Sequence, residues 1–146
     1  MKVLSTTSAG KVNLSGALSF AGTYIPAGFP SPAADYEEDR IDMNELLIKH
    51  PSSTFFIKVE GKSMINAFIP NKALLVVDKS ITAKNNDIVV AVINGEFTVK
   101  KFVINKKGYW LMPANDDYKP IEISEEMNFL IWGVVTKIII DPKDVL

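Results

Sequence analysis

The chain has no cysteine and a single histidine, His50, among its 146 residues. The first absence removes a thiol nucleophile, disulfides and the thiolate sites that hold zinc or iron–sulfur clusters. It also fits a reducing compartment. The scarcity of histidine confines any Ser-His-Asp arrangement to His50, which directly precedes Pro51 at the end of a short predicted helix. Neither sign of charge prevails. Sixteen Lys and Arg against 17 Asp and Glu leave a formal net charge of −1, whereas phosphate binding needs clustered cations. Lys100-Lys101 falls within a predicted strand and Lys106-Lys107 flanks a turn, so neither makes a basic patch. Direct sequence-specific nucleic-acid binding is therefore not expected. Long apolar runs are missing too. Met1-Lys2-Val3-Leu4 opens like a secretory leader, but Ser, Thr, Gly and Asn interrupt the apolar residues as far as Gly22. The best run, Phe129 to Ile140, is broken by Gly133, Thr136 and Lys137 and falls short of the roughly 20 residues of a membrane span. The expectation is a soluble, cytoplasmic protein without membrane attachment, metal or cofactor.

What is present is ordinary globular composition, 47% hydrophobic and 23% charged, in a chain long enough to bury one core. Residues 1–40 read as an arm. They are rich in Ser, Thr, Gly, Ala and Pro, and Pro26, Pro30 and Pro32 favour extended backbone. Residues 41–146 read as the folded body. A short helix begins near Met43, with Asp42 as N-cap, Glu45 completing a capping box, and Ile41 stapled to Leu46. His50-Pro51 ends it. Strands are then expected over Thr54–Val59, Ala73–Asp78, Asp87–Ile93, Glu96–Ile104, Tyr109–Met112, Ile121–Ile123 and Phe129–Ile140. Asn94-Gly95 between two of them supplies the positive φ angles of a type I′ hairpin turn. This spacing predicts a mainly β body.

With thiols excluded and imidazole awkwardly placed, a serine activated by a lysine is the economical route to hydrolytic chemistry. Ser63 lies in Gly61-Lys62-Ser63-Met64, after a predicted strand, where Gly61 permits a sharp turn. An isolated serine of this kind is most often a turn residue satisfying its own backbone. Lys100 alters the balance. In its strand Thr98, Lys100 and Phe102 share one face, and Phe97, Val99 and Lys101 share the other. Two adjacent lysines thus point oppositely, and one must face an apolar side or the sheet end. Burial favours the neutral amine, which alone can accept a serine proton. A snorkelling lysine remains the alternative, and alternation does not say which lysine is buried. A third element is Ala27-Gly28. The same dipeptide recurs at Ala9-Gly10 and Ala21-Gly22, but only at position 27 do prolines hold the chain extended, as a protease substrate must be.

Several runs in order resemble one family. They are Gly28-Phe29-Pro30-Ser31-Pro32-Ala33-Ala34-Asp35-Tyr36, Arg40-Ile41-Asp42 with Leu46-Leu47-Ile48, Gly61-Lys62-Ser63-Met64, Gly95-Glu96-Phe97-Thr98-Val99-Lys100-Lys101 and Gly133-Val134-Val135. Together they closely resemble the UmuD-type members of the LexA/UmuD self-cleaving Ser-Lys proteases, over roughly residues 26–140. The resemblance implies a β-clip fold and a homodimer. It places the nucleophile on Ser63, the general base on Lys100 and the scissile bond at Ala27-Gly28. It also implies oxyanion donors among the amides around Lys62 and Ser63, and Thr98 orienting the lysine amine. Its implied partners are a RecA filament on single-stranded DNA, which stimulates cleavage, and a UmuC-type Y-family polymerase, which the processed dimer serves in SOS mutagenesis.

Rival readings fit less well. A signal-peptidase-like protease needs a membrane anchor. A LexA-type or phage-type repressor needs a helix-turn-helix that a short Ser/Gly-rich arm does not supply. A non-catalytic β-rich interaction module would make Ser63 and Lys100 incidental.

Overall fold

The computed structural model describes residues 1–8, 18–21 and 38–145. Local signals act as expected in the body. The Asp42 carboxylate accepts from the Asn44 N–H at 2.9 Å and caps α1 (Met43–Leu47), satisfying one of the amides a helix start leaves open. Asn94 and Gly95 take φ values of +49° and +86°, so β6 (Ile88–Ile93) and β7 (Glu96–Asn105) form the tight hairpin.

The remaining strands are β1 (Lys2–Ser8), β2 (Leu18–Ala21), β3 (Glu38–Ile41), β4 (Thr54–Glu60), β5 (Leu74–Asp78), β8 (Gly108–Met112), β9 (Ile121–Glu122) and β10 (Phe129–Ile139). The seven strands expected from the sequence are β4 to β10. Strands β1, β2 and β3 lie largely in the stretch read as an arm. The first is hydrogen-bonded into the main sheet, and the other two pair with each other.

The main sheet runs β1-β4-β5-β10-β6-β7-β8-β9, with a further pairing of β1 to β7. Its pairings are all antiparallel. Because β1 meets both β4 and β7, six strands close into a ring. The ring encloses one face of its strands, and a second core that includes Leu111 of β8 covers the other face of β6, which explains why β6 reads as a nearly continuous apolar run. Alternation along β6 sends Val90 into one core, with Ile57, Val59, Met64, Leu75, Val77 and Val99. It sends Val89 and Ala91 into a second, with Phe102, Leu111 and Val134. Gly133 lies where β10 crosses β5, and a Cβ there would stand 2.6 Å from Val77 Cγ1. The mouth of the ring, where β1, β4 and β7 meet, carries the site.

Candidate active site

Ser63 sits just past the end of β4. Gly61 turns with φ of +112°, a conformation that side-chain-bearing residues rarely adopt, and its N–H donates to Asn71 Oδ1 at 3.0 Å. The Lys62 carbonyl accepts from the Ile65 N–H at 3.2 Å and from the Asn115 side-chain amide at 2.9 Å. The Ser63 carbonyl accepts from the Ala114 N–H at 2.8 Å. Carbonyl and N–H of one planar trans peptide point in opposite directions, so holding the Lys62 carbonyl also fixes the Ser63 N–H. Met64, fully buried in the first core, anchors the next residue. A serine that could have been a mobile turn residue is therefore held from both sides.

Lys100 comes from β7, opposite Val89 of β6, and is only 6% exposed. Its Nζ lies 3.1 Å from Ser63 Oγ, 3.1 Å from Thr98 Oγ1 and 3.1 Å from the Val99 carbonyl oxygen. A neutral amine has two N–H bonds and one lone pair. Thr98 Oγ1 and the Val99 carbonyl accept the two N–H bonds, which leaves the lone pair for the Ser63 hydroxyl proton. Burial pulls the Lys100 pKa below the ordinary lysine value, and its hydrogen bond with the Met1 amine works in the opposite direction. Lys101, half-buried, sits on the other face of β7, between Ile88 and Met112.

A second amine is present. The Met1 α-amine donates to Ser63 Oγ at 2.7 Å, and the Thr98 hydroxyl donates to the Met1 carbonyl at 3.3 Å. Burial, followed by the hydrogen bond and charge of Lys100, lowers the Met1 amine from 8.0 to about 5. A cavity of about 910 Å³ opens here, lined among others by Met1, Val3, Phe97, Thr98 and Lys100.

Of the residues singled out from the sequence, Ser63, Lys100 and Thr98 come together. The Lys62 side chain is exposed, so only its backbone borders the site. Ala27 and Gly28 lie outside the described residues. Sequence reasoning missed Met1, which nothing short of the β1 pairing would have brought to Ser63. It also missed the contact of Asn71 with Gly61, and those of Ala114 and Asn115 with residues 62 and 63, which cross a long stretch of chain. Among the described residues no cluster of three or more His, Asp or Glu side chains could hold a metal ion. No described helix is long and apolar enough to cross a membrane.

Comparison with known proteins places the chain in a family. Residues 19–136 match the family described as peptidase S24-like. The chain is 43% identical to the protein MucA of Salmonella typhimurium over 118 residues, which is 80% of each. It is 45% identical to the protein SamA of Salmonella typhimurium strain LT2 over 114 residues, 78% of this chain and 79% of that one. Against the LexA repressor of Alcanivorax borkumensis the identity is 36% over 119 residues, 82% of this chain and 57% of the repressor. A match spanning most of the chain, to relatives of its own length, carries the assignment: the chain belongs to the peptidase S24-like family, as a self-cleaving Ser-Lys serine peptidase of the UmuD type that acts in SOS mutagenesis.

Proposed function

We propose that the protein cuts its own Ala27-Gly28 bond, with Ser63 as nucleophile and Lys100 as general base. The observation that carries this reading is the 3.1 Å contact between a buried lysine amine and a serine hydroxyl, with other acceptors engaging the remaining amine protons. Neutral Lys100 takes the Ser63 proton as Oγ attacks the Ala27 carbonyl carbon. The backbone amides around Lys62 and Ser63 stabilise the oxyanion. The protonated Lys100 then gives its proton to the departing Gly28 nitrogen. Water, activated by the same amine, hydrolyses the ester and releases residues 1–27. Thr98 keeps the amine oriented through both halves.

In this reading residues 1–40 carry the scissile bond, and residues 41–146 form the protease and dimerisation body. The dimer is cytoplasmic. A RecA filament on single-stranded DNA promotes cleavage by binding the competent conformer better than the idle one. The processed dimer joins a UmuC-type Y-family polymerase, so contact with DNA is indirect and fits the balanced charge.

Incubating purified protein at alkaline pH and weighing the fragments tests this. A break after residue 27, lost in Ser63→Ala, is the expected result. A chain that stays whole under those conditions, with and without RecA filaments, overturns it.

A further inference from the structure

The groove that must receive the scissile segment already holds a strand of the same chain. On one side β4 is paired with β5, and on the other its edge is covered by β1 through the pairs Lys2↔Glu60, Val3↔Val59, Ser5↔Lys58, Thr6↔Ile57, Thr7↔Phe56 and Ser8↔Phe55. At the head of that strand the Met1 nitrogen stands 2.7 Å from Ser63 Oγ, and Lys2 pairs with Thr98 beside the lysine. We propose that β1 is a built-in competitor for the cleavage groove, so that the dyad accepts residues 27–28, from its own or a partner subunit, only after β1 has peeled away. This rests on the Ser63 and Lys100 reading above and adds a regulatory layer to it.

Three features of the molecule argue for it. The first is space. A carbonyl carbon poised for attack must come within roughly 3–3.5 Å of the serine oxygen, and the Met1 amine occupies that approach. The second is the edge. An extended substrate docks by adding a strand to a free sheet edge, and the edge of β4 leading to Ser63 is taken by β1. Residue 8 and residue 27 belong to one chain, yet both segments need the same edge, so occupation by one excludes the other. An extended segment offered by a second subunit meets the same block. The third is weak anchoring. Lys2 and Leu4 to Ser8 are exposed, and only Met1 and Val3 pack against the core. The pairing also slips at a bulge between Val3 and Ser5. A strand held mostly by backbone bonds, with little apolar burial, belongs to the part of a fold that opens first.

The position of Met1 has a chemical sense. In the cleavage reaction the nitrogen beside Ser63 Oγ is that of the leaving residue, whose chain then runs away from the serine. Met1 presents a free amine at that place, with Lys2 to Ser8 following along β4. Strand β1 thus sits as the amine-bearing product of cleavage would.

The absence of native cysteine makes a clean test possible. Ser5 and Lys58 face each other across the pair and are both exposed. Opposed antiparallel positions lie about 4.5–5.5 Å apart, within disulfide reach. The double variant Ser5→Cys, Lys58→Cys is oxidised, the bond is verified by mass, and self-cleavage at alkaline pH is compared with and without reductant. The same samples are given a synthetic peptide of residues 20–34 as a substrate in trans. The reduced double variant sets the reference rate. Oxidised protein should cleave itself and the peptide at least about tenfold more slowly, because the rate follows the released fraction, and reductant should restore both rates. Equal rates in the oxidised and reduced forms overturn the inference while leaving the Ser-Lys reading intact. An unmodified chain that never cleaves itself overturns that reading instead.

Discussion

Among the described residues two hydrogen-bonded serine clusters stand out, and their contrast shows which of them is arranged for proton transfer. Around Asp78 the residue types of a catalytic triad are all present. His50 Nδ1 lies 2.5 Å from Asp78 Oδ2, and Ser80 Oγ lies 3.3 Å from the same Nδ1. A working triad puts the carboxylate on one ring nitrogen and the serine on the other. Here both crowd one nitrogen. The serine protons are also committed, since Ser80 Oγ and Ser53 Oγ donate to Asp78 Oδ1 at 2.6 and 3.0 Å. That cluster ties the segment after α1 to the end of β5, and the Thr54 hydroxyl adds a bond to the His50 carbonyl at 2.7 Å. Around Ser63 the types look less promising, yet a buried amine has one lone pair left over, aimed at one hydroxyl. Residue types alone do not separate the two clusters; the geometry around the imidazole and the amine does.

The sharpest break between the two is mutational. Ser63→Ala should abolish self-cleavage, and Lys100→Ala should slow it by about 10²–10⁴-fold, the usual worth of a general base. Both should keep the fold, read by circular dichroism. His50→Ala and Asp78→Asn should leave the cleavage rate within about twofold, although each loosens the fold. Rapid cleavage by purified Ser63→Ala, measured by fragment mass, would remove the nucleophile from this account.

Dependence on pH separates the clusters next. Only neutral Lys100 is a base, so below its pKa the self-cleavage rate should climb by up to about tenfold per pH unit. Linkage has the same sign. The folded pKa of Lys100 lies below its ordinary 10.5, so the native state binds fewer protons than the unfolded chain. The contribution of this group to stability therefore rises with pH up to the unfolded value. Alkali should speed cleavage without loosening the fold at this residue. A flat rate between pH 7 and 10 counts against a lysine base.

Asp78 has the opposite window. Burial by itself would raise its pKa, but hydrogen bonds from the Ser80 side chain, His50, the Ser80 N–H and Ser53 outweigh it and bring the carboxyl from 3.8 to about 2. A depressed carboxyl stabilises the fold above its unfolded pKa and loses that contribution as pH falls through about 2. At roughly 1.4 kcal/mol per unit the contribution is about 2 kcal/mol. Urea midpoints at pH 7 and pH 2.5 should show this loss in the native chain and a smaller one in Asp78→Asn. Self-cleavage is not the readout here, because acidification only depletes the neutral Lys100 amine that the reaction needs.

The body of the fold was legible because its signals are local. Asp42 caps, Asn94-Gly95 turns, and alternation or apolar runs mark each strand from Thr54 to Ile139. Strand β1 was not read, although Val3, Thr6 and Thr7 are β-branched residues suited to a strand. Interruption by Ser and Thr looks the same in an exposed edge strand as in an arm, and what makes β1 a strand is the free edge of β4, more than 40 residues away in sequence. The site was half legible for the same reason. Gly61-Lys62-Ser63 announces a turn, as does Pro70-Asn71, but nothing local pairs the two, and Ala114 and Asn115, which also hold Ser63 still, carry no signal of their own. Ala27 and Gly28 were singled out for their proline setting, and their role stays a proposal.

The smallest expected effect is the most discriminating for the face assignment. Lys100 and Lys101 are neighbours with the same side chain, and alternation puts them on opposite faces of β7. In an ordinary half-exposed strand one of them would be dry and the other wet. Both faces of β7 are covered here, so Val99 and Lys100 are buried together: Val99 enters one core while Lys100 faces the other side next to Ser63. Lys101 lies on the Val99 face but near the end of the covered stretch, and keeps partial exposure. Lys101→Ala should therefore change the self-cleavage rate by less than about twofold and stability by within about 0.5 kcal/mol. If instead it slows cleavage as much as Lys100→Ala, the amine serving Ser63 has been assigned to the wrong face of the strand.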